Sequence, residues 1–155
     1  MTPRPLFRAA AGFTLIELVV TCAIVAILAA IAIPSYSSFV RSSHRTDATR
    51  TLLQEAQALQ RCYSVNFTYV NNTAATPPTV CAASASGTMV SPAGYYSIAI
   101  DITSASSYTL TATPAAGSPQ NQDSACASFT LSSSGQQSAL NSGGATNTQT
   151  CWGST

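Results

Sequence analysis

Between Phe13 and Ile33 the chain reads FTLIELVVTCAIVAILAAIAI, an apolar run broken only by Thr14, Glu17 and Thr21. As a helix it spans about 31 Å, at ~1.5 Å per residue, against ~30 Å for the hydrocarbon core of a bilayer. The simple readings of such a segment are a membrane anchor or a secretory signal peptide. A cleaved secretory signal fits less well. Its apolar core is shorter, and here a helical pattern continues directly past the run, although Ala29-Ala30-Ile31-Ala32 loosely imitates a cleavage site. Glu17 is the anomaly. A carboxylate in an apolar segment is costly, and by default it marks a function with a partner to be named. The bland alternative is that a side chain so close to the helix start reaches the headgroups.

Charge is scarce everywhere else. Asp, Glu, Lys and Arg make up 7% of the 155 residues, against ~25% in an ordinary soluble domain. Hydrophobic residues make up 46%, so the low charge does not indicate a disordered polar chain. The net charge is +1, and after Cys62 the only charged residues are Asp101 and Asp123. That argues against a nucleic-acid binder of the generally basic kind. His44 is the single histidine, which leaves no His-dependent triad and no multi-His zinc site. Ser and Thr are abundant, yet no general base accompanies them. The sequence therefore predicts no enzyme, no cofactor and no metal.

Pro34 is expected to end or kink the first helical segment, because it lacks an N–H and clashes one turn back. Beyond it, Ala48, Leu52, Ala56, Leu59 and Tyr63 recur three or four residues apart, an apolar stripe on an amphipathic helix. One helix over residues 13–63 follows, apolar in its first half and amphipathic in its second. Residues 36–44, rich in Ser, are where it is expected to loosen. Residues 66–93 lack a period and read as a long loop. Alternation then marks strands around Tyr96 to Ile102, Tyr108 to Ala112 and Ala127 to Leu131, with a turn near Ser134-Gly135 and a short fourth strand from Gln137 to Leu140. Ser104 to Ser107 make a hairpin connection. The fold class is α+β: a long N-terminal helix packed against a small antiparallel sheet that covers its stripe.

Gly12-Phe13-Thr14-Leu15-Ile16-Glu17, after a short leader with Arg4 and Arg8, resembles the type IV pilin signature. Pro34-Ser35-Tyr36, Val40-Arg41 and Arg45 to Ala48 resemble most the short minor-pilin and competence-pilin branch. The leader departs from the family in one respect: Ala9, Ala10 and Ala11 stand before Gly12, where the family usually has Lys or Arg. The resemblance implies a leader over 1–12, a polymerisation and membrane segment over 13–33, and a head over 64–155. It implies that a prepilin peptidase cuts between Gly12 and Phe13 and methylates the new Phe13 amine. Glu17 would then pair with the Phe13 amine of a neighbouring subunit in the filament. A buried carboxylate without such a partner would be strongly unfavourable. Partners would be other pilin subunits, the peptidase and the inner membrane before assembly, with an extracellular pilus afterwards.

Five cysteines remain to be placed. Cys22, inside the apolar helix, is a small hydrophobe. Cys62, Cys81, Cys126 and Cys151 contain no C-x-x-C pair, and in an exported head they form two disulfides. Three connectivities are open. The favoured one is Cys62–Cys81 with Cys126–Cys151, and a disulfide-closed C-terminal loop is what the pilin resemblance implies. Asn66-Phe67-Thr68 and Asn71-Asn72-Thr73 match an N-glycosylation pattern that arises easily by chance in such segments.

Three functions follow: a structural subunit of a type IV pilus, a minor pilin that captures DNA for uptake, and a pseudopilin of type II secretion. DNA capture is disfavoured by charge, since phosphate neutralisation dominates affinity. The cations nearest the head are Arg61 and, as buried-side candidates, Arg45 and Arg50; Arg41, Arg45 and Arg50 read as a solvated or snorkelling face. The leader junction makes the first prediction. Intact mass and N-terminal sequencing of the mature protein should start at Phe13 and carry a methylated amine; a start at Met1 or near Ala32 would refute the processing site.

Overall fold

The computed structural model describes residues 12–71 and 88–153. The chain divides into two compact units, one up to Phe39 and one from Val40. Helix α1, Leu15–Asn66, crosses that boundary without interruption, and Pro34 lies inside it. Of the two effects expected at Pro34, an end or a kink, the end is not met. Proline removes one bond of the ladder, and good helix formers before it keep the rest. The Ser-rich stretch also stays helical. Ser37 and Thr46 donate to carbonyls three residues back, at 2.9 and 2.7 Å, so these hydroxyls are satisfied within the helix.

In the first unit the large apolar side chains are exposed, from Phe13 at 80% to Phe39 at 72%. This part of α1 has no core of its own.

The second unit holds the sheet. Five strands, β1 (Thr88–Val90), β2 (Tyr96–Ser104), β3 (Ser107–Pro114), β4 (Ser128–Ser132) and β5 (Gln137–Leu140), pair antiparallel in sequence order. Register places Ile98 opposite Ala112, Ile100 opposite Leu110, and Leu110 opposite Leu131. The alternating residues Tyr96, Ile98, Ile100, Tyr108, Leu110, Ala112, Phe129, Leu131 and Ala139 thus share one buried face. Ala48, Leu52 and Leu59 of α1 are fully buried against it. Tyr96 and Phe129 meet edge to face, as do Phe129 and Trp152. The β4–β5 turn closes with the Gly135 amide donating to the Ser132 carbonyl at 2.9 Å, and Gly135 takes the φ of +82° that a side chain would resist.

Three elements escape the sequence reading: β1, a 3-10 turn over Pro119–Gln122, and a C-terminal helical turn. β1 falls inside the expected loop, and all three of its residues are exposed, so it carries no burial alternation to read. Helix α2, Thr148–Trp152, is a single turn whose Cys151 is bonded to Cys126, closing a separation of 25 residues. That bridge contributes about 3.5 kcal/mol by loop-closure entropy. Cys62 is disulfide-bonded as well; its expected partner, Cys81, lies outside the described residues.

Burial raises the phenol pKa of Tyr69, Tyr96 and Tyr108 above the ordinary 10.0. For Tyr96 the hydrogen bond from Gln120 offsets part of that rise. A raised folded pKa means the stabilisation is complete below the unfolded value and is lost as pH climbs through the folded one. Thermal midpoints should hold steady up to about pH 10 and then fall, and Tyr96→Phe should soften the alkaline fall. A midpoint that declines equally in the variant and the parent would contradict the assignment for Tyr96.

Candidate functional site

The helix start is built by a cap. Thr14 Oγ1 accepts from the Glu17 amide at 3.3 Å, and the Thr14 carbonyl accepts from Leu18 at 3.2 Å. Thr14-x-x-Glu17 is the spacing of a capping box. A carboxylate in the first turn also faces the positive end of the helix dipole. Phe13 and Glu17 are both exposed, one turn apart in a helix start that buries nothing. From this start α1 is long and apolar enough to cross a membrane, by length and composition. Cys22 is a free thiol on the exposed surface of that segment.

In the head the few charges are used for docking. Arg45 forks onto Asp123, Nε to Oδ2 at 2.7 Å and Nη2 to Oδ1 at 2.9 Å, with the two side chains 14% and 4% exposed. Asp123 also accepts from the Ala125 amide at 3.2 Å. The reading of Arg45 as a solvated side chain is thus corrected: the pair ties α1 to the chain just before Cys126. Nothing in the local sequence joined residues 78 positions apart. Asp47 accepts from the Ser91 hydroxyl and the Ala93 amide, while the Ser91 hydroxyl accepts from the Tyr96 amide. Gln120, wholly buried, donates to the Arg41 carbonyl at 3.2 Å and the Tyr96 hydroxyl at 2.7 Å. His44 stacks on Tyr95 with ring centroids 3.9 Å apart. Among the described residues no three His, Cys, Asp or Glu side chains converge as metal ligands. A groove of about 210 Å³ between α1 and the sheet is lined by Leu53, Gln57, Gln60, Tyr108, Ser132 and Gln137, without a charged side chain.

The end of α1 has an unusual cap. The Phe67 amide donates to the Tyr63 carbonyl at 2.7 Å, and Phe67 takes a φ of +55°. That conformation favours Gly or Asn at a helix terminus, and for a bulky residue it costs roughly 1–3 kcal/mol. Two residues on, Tyr69 is 3% exposed and packs between Tyr63 and Tyr108. Phe67 itself is 78% exposed. Sequence periodicity had no means of marking it, because the helical pattern stops before it.

Helix, meander sheet and C-terminal disulfide define an α+β pilin fold. Residues 7–33 match the prokaryotic N-terminal methylation motif. Residues 34–130 match the family described as type IV minor pilin ComP, DNA uptake sequence receptor, and the chain belongs to that family. It is 45% identical over 51 residues to prepilin peptidase-dependent protein D of Escherichia coli (strain K12), covering 33% of this chain and 35% of that one. It is 43% identical over 53 residues to fimbrial protein EcpC of Eikenella corrodens, covering 34% and 35%. The chain spans about a third of the length of each of these relatives.

The Arg45–Asp123 pair makes a stability prediction. Asp123→Ala leaves a guanidinium largely buried without its carboxylate and should cost about 3–5 kcal/mol, whereas Arg45→Met with Asp123→Leu should recover much of that loss. Denaturant unfolding of the single and double variants measures both.

Proposed function

We propose that the chain is a structural subunit of a type IV pilus, held in the inner membrane by residues 13–33 with its head in the periplasm until assembly. The observation that carries this reading is the exposed apolar start of α1, where Thr14 caps the Glu17 amide and Glu17 brings the one carboxylate. A surface of this kind is stable in lipid or against other copies of itself. On this reading prepilin peptidase releases Phe13 from Gly12, and the mature subunit begins at Phe13. The Phe13 amine of one subunit neutralises Glu17 of the next when the helices leave lipid for the bundle. The pairing also sets axial register, as lone buried polar groups do in helix bundles.

A second reading, capture of DNA during uptake, is favoured by the family match over residues 34–130. Charge confines it. With Arg45 committed to Asp123, the other cations of the head unit are Arg41, half-buried, and Arg50 and Arg61, exposed. Three neutralised phosphates set a ceiling of about 2.7 log units of affinity per log unit of salt.

Glu17→Ala should leave the subunit in the membrane fraction and remove it from sheared filaments; filaments that contain the variant at the wild-type level would end the pairing role. For the second reading, anisotropy titrations of a labelled duplex across a salt series should give a slope no steeper than that ceiling. A steeper slope would require cations that this head does not expose.

A further inference from the structure

We infer that Phe67 is an aromatic wedge that inserts against a base step of duplex DNA, with Arg61 on the adjoining phosphate. The inference rests on the DNA-capture reading and names the contact by which it would work. Phe67 is 78% exposed, with Val65 at 75% and Val70 at 46% beside it in sequence. The backbone that carries the ring is held on both sides. On one side the Phe67 amide is bonded to the Tyr63 carbonyl at 2.7 Å. On the other, Tyr69 is buried between Tyr63 and Tyr108, and its amide donates to the Ala105 carbonyl at 2.8 Å. Two anchors four residues or fewer away leave the ring facing solvent on a left-handed backbone that glycine would occupy without strain. A large apolar side chain kept at such a position contributes nothing to the core, and its surroundings define its occupant. Along the described chain on either side of it, from Ala56 to Asn71, there is no Asp or Glu, and Arg61 is the only charged residue. An acid-free apolar tip with one cation fits a polyanion whose bases offer apolar faces. Apolar wedges that unstack a base step are an established way for a protein to grip DNA with few charges.

The test uses the full chain in detergent micelles and a fluorescein-labelled duplex, followed by anisotropy across a salt series. Phe67→Ala should weaken binding at least tenfold without changing the salt slope, because a ring releases no counterions. Arg61→Ala should lower the slope by about 0.9 log unit per log unit of salt. Phe67→Gly should raise the thermal midpoint, by relieving the left-handed strain, and still lose binding. Phe67→Trp should bind like the parent, and its indole emission should be quenched by the duplex. A parent chain that binds no duplex overturns the DNA-capture reading and this inference with it. Parent binding that Phe67→Ala leaves unchanged overturns the wedge alone, as does a Phe67→Gly variant that unfolds at lower temperature, since the ring would then be holding the fold.

Discussion

One face of one helix closes the head. Ala48, Leu52 and Leu59 lie on the apolar face of the sheet, and without them nine alternating sheet residues would meet water. Burying each leucine contributes about 2 kcal/mol, and the sheet side gains a comparable amount. Packing of this kind is non-directional, so it does not by itself fix where the helix sits along the sheet. The polar contacts supply that position. Arg45 holds Asp123, Asp47 holds the Ser91 turn, and Gln120 reaches the Arg41 carbonyl. All three lie near one end of the helix–sheet contact, and the Tyr63–Tyr69–Tyr108 stack secures the other.

This division explains what the sequence disclosed. Apolar periodicity belongs to single elements, so α1 and strands β2 to β5 were legible from Ala48 to Tyr63 and from Tyr96 to Leu140. β1 was not, because Thr88–Val90 buries no side chain and leaves no alternation. Pro34 was read as an end or a kink within one long helix, and the helix continues through it, because one missing bond does not outweigh the apolar helix around it. Arg45 was read as solvated because its partner is far away in sequence and only the fold brings them together. The Cys126–Cys151 bridge was favoured among three pairings, on the pilin resemblance and the position of the tail, and the structure contains it. Phe67 left no pattern at all, since the feature that distinguishes it is a backbone angle.

The scarcity of charge acquires a structural meaning once the contacts are known. A head with this few ionised groups spends Arg45, Asp47 and Asp123 on holding its helix in place. Outside those contacts its charged side chains are few: Arg41, Arg50, Glu55, Arg61 and Asp101. Such a surface neither attracts nor repels a like surface strongly, which suits subunits that must crowd side by side. The same neutrality means that any selective recognition has to come from shape and apolar contact rather than from a field.

The strand order has a consequence of its own. Every strand pairs with the one immediately before it in the chain, so no strand waits for a later one to complete its ladder. Pairings of short sequence separation form fast, because little chain must be closed into a loop. During synthesis the helix emerges first and offers its apolar face to each hairpin in turn. Downstream of all five strands, α2 carries the cysteine that bonds to Cys126. The covalent lock therefore joins a residue before β4 to one after β5, and it ties off the hairpin that completes the sheet.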